Sequence, residues 1–558
     1  MAGNILTPNA IWNGFLIPSV PQATVIDERK AGDLYFKRLS IEGRSIKNEK
    51  VNIFGLLAGK KQNLDAPAIL LLQDLEYALD ESLVKVLVKK GFTVFAVDIA
   101  GYQEGKEFYT KYPESVSYAN YAQNKNGLYS VERQADKTCW YEWTCVARYA
   151  LKYLKSITDT VGGFGIGKSA TVMWQVAGMD DTLDCSVFAL NAGWLGYKGI
   201  YKFGSMVEPQ FSDDMYKYIA GIEPQAYAAH VKNPVLVLTA TNSAEYDSDR
   251  AYDTLARTGE TVYSAVHYSV GCRDRVNAQA FNDAIMFFNK FLLEKQSKNL
   301  PMDVDIRADI EDGEVNFIVT PQEGEVKSVV LYVSEQTVKP SIRCWRKFGN
   351  AIETSGVYKF TVKPYHNSNM VVAFAQVEYE NGYVIGSNVI NKKFKQEEVK
   401  QSFKSNIIYS SRYAFAESVF YDEVEVDDCP SVSVVDKKTL RVKKGPMGLE
   451  GVTGVNGLLT FKIGTEKDRP SDSAMLMLDA YSKEQSTLTV KLYSDYTGER
   501  REYLYKTALN GGDVWQNVKI ELSKFKTAEG MGLKSLDKVD AIAFDVDGEF
   551  LINNALWV

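Results

Sequence analysis

Between residues 30 and 297 the chain repeatedly switches from short, wholly apolar runs to amphipathic ones. APAILLLQD (66–74), FTVFAVDIAGY (92–102), CSVFALNAG (185–193), NPVLVLTATNS (233–243) and TVYSAVHYSV (261–270) are the apolar runs. Helical patterns lie between them at ESLVKVLVKKG (81–91), near Thr138 to Leu154, and at RVNAQAFNDAIMFFNKFLLEK (275–295). A strand that is apolar on both faces must be covered on both faces. Such strands alternating with helices specify a parallel sheet with helices on each side.

After residue 300 the pattern changes. VDIRADIEDGEVNFIVT, SVVLYVSEQ, GVYKFTVKPY and MVVAFAQVEYENGYVIGSNVI alternate apolar and polar residues, with Gly, Asn and Pro at the turns. This predicts a small antiparallel sandwich of the immunoglobulin-like kind. A charged stretch, KKFKQEEVKQSFKSN (392–406), leads into a second all-β region with strands such as AMLMLDAYS, STLTVKLYSD and WQNVKIELSKF, which reads as a jelly roll. The expected division is an α/β domain at 1–297, a sandwich at 298–395 and a jelly roll at 396–558.

Composition narrows the function classes. A formal net charge of -7 offers no basic footprint for nucleic acid. No apolar run reaches the ~18 residues of a membrane span. The six cysteines form no CxxC pair and no cluster with histidine, so neither a zinc site nor a disulfide framework is indicated, and no cofactor is implied. The opening MAGNILTPNAIWNGFLIPSV has no basic segment ahead of an apolar one. It predicts a cytoplasmic chain, or a secreted or cell-surface one if a leader has been removed. Only His230, His267 and His366 could serve a mechanism that needs an imidazole.

GGFGIGKS (162–169) matches the phosphate-cradling pattern of Gly, four residues, then Gly-Lys-Ser, with Asp98 after FTVFAVD as a possible metal carboxylate. Against that reading, the motif comes late in its domain, after two apolar strands and a long helix. The same letters suit a strained strand-to-helix turn. Val161-Gly162-Gly163-Phe164-Gly165-Ile166-Gly167-Lys168-Ser169-Ala170 resembles the nucleophile elbow "I-G-x-x-G-I-S-K-G-G/A" of α/β-hydrolases of the acetylxylan-esterase, PhoPQ-activated-pathogenicity-related and acyl-CoA-thioesterase kinds. FTVFAVDIAGYQEG, NPVLVLTATNSAEYDSDRAYDTL and YSVGCRDRVNAQAFNDAIMFFNKFL resemble that superfamily's following elements in the same order.

The resemblance implies a catalytic triad, and its three positions fall on Gly167, Ser243 and Asp274. Glycine cannot attack an acyl carbon, and a serine hydrolase needs an imidazole to carry the proton. His230 precedes a strand, His267 lies inside one, and His366 belongs to the next domain. The expectation is an inactive hydrolase homologue acting as a binding, scaffold or assembly protein with a glycan or protein partner. Two alternatives stand beside it: an esterase with a displaced nucleophile (Cys272 or Ser169), and a structural protein that self-assembles through its β domains.

The ordinary readings of the other polar groups are a buried thiol at Cys272, a surface ion-pair cluster of Arg273, Asp274 and Arg275, helix-start roles for Asp247 and Asp249, and Lys168 along a helix surface. GDVWQNVKIELSKFK (512–526) and the closing LINNALWV (551–558) resemble the end of carbohydrate-binding jelly rolls. Trp515, Val518, Ile520, Leu522 and Phe525 match that family's core alternation, and Ile552, Asn553 and Asn554 its last strand.

Overall fold

The computed structural model describes residues 4–60, 64–204, 209–293, 300–364, 368–400, 406–412, 419–421, 431–434, 440–464 and 468–558. Its N-terminal part is one nine-stranded sheet. The strands are β1 (Ala23–Ala31), β2 (Leu34–Ile46), β3 (Glu49–Gly59), β4 (Ala68–Leu72), β5 (Thr93–Val97), β6 (Val161–Ile166), β7 (Cys185–Ala189), β8 (Val235–Ala240) and β9 (Ser264–Ser269). Their spatial order is β1-β2-β3-β5-β4-β6-β7-β8-β9. β5, β4, β6, β7, β8 and β9 run parallel, while β1 to β3 form an antiparallel meander that joins β5. β4 to β8 are buried at every position, as two-sided covering requires.

The antiparallel meander is absent from the sequence expectation, which begins its strands at residue 66. β1 accounts for part of the omission. ATVIDERKA is exposed at all but one position, where it is half-buried, so it carries no burial rhythm to detect.

Strand β6 is rich in glycine because the following helix, Ser169–Met179, presses against it. An ideal Cβ on Gly165 would lie 2.6 Å from Met173 Cβ and 2.8 Å from Ala170 Cα, and one on Gly163 would lie 2.5 Å from Met173 Sδ. Side chains there would push the helix off the sheet. Two of the motif's glycines, Gly163 and Gly165, are thereby used for helix–strand packing.

Residues 304–393 form two antiparallel sheets. One orders Val304–Glu311, Glu314–Pro321, Val357–Val362 and Ile352–Thr354; the other orders Arg346–Phe348, Val326–Glu335, Met370–Tyr379 and Val384–Gly386, with Ile390–Lys393 also paired to Met370–Tyr379. Their core is continuous with that of the α/β sheet. Tyr268 of β9 packs on Phe374, ring centroids 4.5 Å apart, and a Cβ on Gly386 would come within 2.5 Å of the Tyr268 ring.

The last region pairs a six-stranded antiparallel sheet with a four-stranded one. Leu476 and Leu478 of the first meet Leu488, Val490 and Ile542 of the second in a separate core. Trp515, Val518, Ile520, Leu522 and Phe525 fall on or beside one strand, Gln516–Glu521; Ile520, Leu522 and Phe525 are buried in this core and Val518 packs against it.

Candidate functional site

β6 ends at Ile166, and the chain turns sharply at Gly167, whose φ of +58° is the left-handed region that glycine enters without cost. Lys168 is already helical and Ser169 opens the helix. The geometry is that of a strand-to-helix elbow with nothing at its tip. The space a side chain would take is filled by another residue. An ideal Cβ on Gly167 would lie 1.9 Å from Asp74 Oδ2 and 2.6 Å from its Cγ.

Asp74 belongs to the segment that leaves β4, the strand beside β6, with Leu72 opposite Gly165. Ser169 Oγ donates to the carbonyl of Gln73 at 2.6 Å and ties that segment to the helix start. The carboxyl oxygen Asp74 Oδ1 is buried and has no hydrogen-bond partner among the described residues.

Charge balance around it comes from Lys168. Its Nζ lies 2.9 Å from Glu76 Oε1 and 3.1 Å from Glu245 Oε2. Tyr121 donates to Glu76 at 2.8 Å and Tyr129 to Glu245 at 2.6 Å. Burial pushes the Asp74 carboxyl up, Glu76 and Glu245 push the same way, and Lys168 opposes them; the result is about 6. Burial works against the Lys168 charge, but Glu245, Asp74 and Glu76 together hold the ammonium above its ordinary range. Acyl-transfer sites aim N–H donors at a developing oxyanion. Here a carboxyl fills the elbow tip and two more carboxylates ring the nearest cation.

Ser243 and Asp274, the other two positions that the resemblance matches to a triad, meet each other. Ser243 Oγ donates to Asp274 Oδ1 at 2.7 Å and accepts the N–H groups of Glu245 and Tyr246 at 3.2 and 2.9 Å. This joins the loops after β8 and β9. Neither described histidine is placed for proton transfer at Gly167. His267 is buried in β9, with Nδ1 2.7 Å from Asp283 Oδ2 and 3.2 Å from the Val384 carbonyl. His230 sits in the turn before β8, at the opposite end of the sheet from the elbow. His366 lies outside the described residues. Cys272 is a buried thiol, as expected.

Three expectations change. Lys168 does not lie along a helix surface: it is 7% exposed and forms the centre of the carboxylate cluster. Arg273, Asp274 and Arg275 do not form a cluster of their own, because Arg273 donates to Tyr496, Arg275 to Ser433 and Asp274 accepts from Ser243. Asp247 caps the turn that starts the next helix and Asp249 stands in its first turn, but the Asp249 carboxylate is taken up by a buried, two-pronged ion pair with Arg343. Arg343 comes from the region of the first sandwich and also donates to the carbonyls of Thr337 and Val338. Asn242 Nδ2 donates to the Arg343 carbonyl at 2.8 Å. A cavity of about 210 Å³ remains beside Ser243, walled by Trp194, Tyr197 and Tyr246 of the α/β part and by Lys339, Ser341 and Thr497 of the β regions.

The strand order, the parallel run from β5 to β9 and the positive-φ elbow after β6 decide the architecture. The N-terminal half is an α/β-hydrolase fold. Solved structures similar to the chain include esterases. An acetyl xylan esterase from Paenibacillus sp. R4 is 9% identical, covering 51% of this chain and 92% of its own, with a TM-score of 0.39. Acetyl xylan esterase 1 from Thermoanaerobacterium sp. JW/SL YS485 is 13% identical, covering 50% and 89%, with a TM-score of 0.37. Est1E from Butyrivibrio proteoclasticus is 11% identical, covering 46% and 99%, with a TM-score of 0.32. No family model and no curated protein sequence matches the chain. Within this α/β-hydrolase fold, Asp74, Glu76 and Glu245 are the site residues that sequence reasoning missed. The acidic D-L-E directly after the APAILLLQ strand was the available signal.

Proposed function

We propose that this chain is an α/β-hydrolase homologue that no longer transfers acyl groups and works as a binding or assembly protein. It is divided into a hydrolase-like domain at 1–297, an immunoglobulin-like sandwich at 298–395 and a jelly roll at 396–558, with a glycan or protein partner. One observation carries the reading: the Asp74 carboxyl occupies the position that a nucleophile's side chain would take on Gly167. Covalent catalysis needs a nucleophile, a base and donors for the oxyanion together. Here the nucleophile position is glycine and the other two triad positions bond to each other.

The experiment is ester turnover with p-nitrophenyl acetate and acetylated xylo-oligosaccharides, together with fluorophosphonate and iodoacetamide labelling. The expected result is no turnover above a heat-inactivated sample and no selective label. Turnover abolished by Ser169→Ala or Cys272→Ala would replace this reading with an esterase whose nucleophile is displaced.

A further inference from the structure

The chain is acidic overall, with a net charge of -7. Against that background one cleft is basic. It lies on the six-stranded sheet of the C-terminal sandwich, has a volume of about 370 Å³, and takes Arg441, Lys443, Lys444 and Lys483 into its lining. Three of these cations come from Arg441–Lys444, the outermost strand of that sheet, which is exposed at all four positions. Lys443 is paired with Glu549 at 3.1 Å, and Lys444 stands opposite Glu450 in the strand register; among the described residues Arg441, Lys444 and Lys483 form no close ion pair. Four cations against one carboxylate, Glu549, leave the lining with a net positive charge that attracts an anion.

The cleft also holds an aromatic surface at a fixed place. Tyr481 lines it, and the Tyr481 ring lies 5.7 Å from that of Trp515. Both residues are half-buried. Trp515 is clamped on the basic hairpin. Ideal Cβ atoms on Gly445 and Gly451 would come within 2.7 and 2.9 Å of its ring, and its Nε1 donates to the Pro446 carbonyl at 3.0 Å. Cations and aromatic rings are therefore held in one unit.

Guanidinium and ammonium groups bind carboxylates and sulfates through charge-assisted hydrogen bonds, and an aromatic face takes the C–H face of a sugar ring by dispersion. We propose that this cleft binds an anionic oligosaccharide, its carboxylates or sulfates on Arg441, Lys444 and Lys483 and a sugar ring against Tyr481. The proposal rests on the binding-protein reading above and gives that reading a ligand class. A nucleic-acid ligand would want a basic face across a whole domain. Here the cations gather in one cleft beside one aromatic pair.

Isothermal titration of the full chain with a galacturonate hexamer, and in parallel with a chondroitin sulfate hexasaccharide, tests it and separates carboxylate from sulfate recognition. Neutral xylohexaose, poly-L-glutamate and single-stranded DNA are the comparators. Expected are binding of at least one acidic oligosaccharide and no heat from xylohexaose. A rise from about 50 to about 300 mM salt should cause a severalfold loss of affinity. The triple variant R441E/K444E/K483E should lose about tenfold or more. Tyr481→Leu, which keeps the bulk but not the ring, should weaken oligosaccharide binding and leave polyglutamate unchanged. Binding of neither acidic oligosaccharide, unchanged affinity in the triple variant, or equal binding of xylohexaose, polyglutamate or DNA would overturn the proposal. Ester turnover with intact oligosaccharide binding would instead overturn the elbow reading and spare the cleft.

Discussion

The occupation of the elbow tip by Asp74 predicts the cost of putting any side chain on Gly167. Gly167→Ala incurs two penalties. The residue stands at φ +58°, where an L-residue costs about 1–2 kcal/mol. Its new Cβ would also be 1.9 Å from Asp74 Oδ2, well inside contact distance, so the carboxyl must swing away. Swinging carries it away from Lys168, its one favourable charge partner, and overpacking of this kind costs about 1–3 kcal/mol. The sum is about 2–5 kcal/mol. The backbone part depends only on Gly167, whereas the steric part requires Asp74. In an Asp74→Ala background Gly167→Ala should therefore cost only the first part, leaving a coupling of about 1–3 kcal/mol in the double-mutant cycle. Urea unfolding of the four proteins, followed by tryptophan fluorescence, measures it. Additive effects would refute the reasoning, because they would mean that the carboxyl moves aside freely and the elbow tip is open space. Gly167→Ser should behave like the alanine variant and gain no esterase activity.

The Asp74 carboxyl at about 6 also fixes a pH dependence. A folded-state value raised above the ordinary 3.8 means that folding favours the protonated form, so this group's stabilising contribution is complete below about pH 4 and is lost as pH rises through 6. Asp74→Asn should gain on the wild type over that window by up to about 3 kcal/mol and plateau above it, measured as denaturation midpoints from pH 4 to 8; a pH-independent difference would contradict the assignment. Lys168→Met should cost about 2–4 kcal/mol at pH 8 and less at pH 4, since it leaves three carboxyls facing one another, and equal losses at both pH values would count against the cluster. Arg343→Ala should cost about 3–5 kcal/mol by stranding the buried Asp249, with Arg343→Lys recovering only part because the two-pronged geometry is lost. Gly386→Ala should cost about 1–3 kcal/mol by forcing its Cβ into the Tyr268 ring, and thermal unfolding with no loss would show that β9 and the first sandwich are loosely packed.

The covered parallel strands were legible because burial on both faces leaves an uninterrupted apolar run, and APAILLL or NPVLVLTA can hardly be anything else. The elbow was legible through its glycines. What was not legible depended on neighbours distant in sequence. Lys168 follows β6, but Glu76 follows β4 and Glu245 follows β8, so only the strand order brings the three together. A lysine in a helix's first turn reads as a solvated group until the acidic residues from adjacent strand ends are placed around it. Arg343 and Asp249 are separated by 94 positions and two regions of the fold, and no local spacing announces their pairing.

Gly167, Ser243 and Asp274 share one physical setting. In an α/β sheet the loops that leave the strands' C-terminal ends form the natural ligand crevice. In this chain those same loops hold the regions together: Asn242 and Asp249 bind Arg343, Arg273 binds Tyr496, and Ser341 meets Thr497 across the same junction. A catalytic acid at position 243 and an imidazole at 274 would have to stay oriented toward the elbow, while Ser243 and Asp274 here spend their hydrogen bonds on each other. An ion pair as buried as Arg343–Asp249 tolerates little movement, because separating its partners strands a charge out of water. The loops are therefore held by docking contacts. A glycine at the elbow, the Asp74 carboxyl against it and the docking of the β regions on the neighbouring loops are compatible with the proposed binding role. If the junction is what constrains the loops, Arg343→Ala should increase hydrogen exchange at residues 241–250 and 270–276 while leaving the Asp74–Lys168 cluster protected. Equal loosening of both would mean that the elbow and the junction form a single unit.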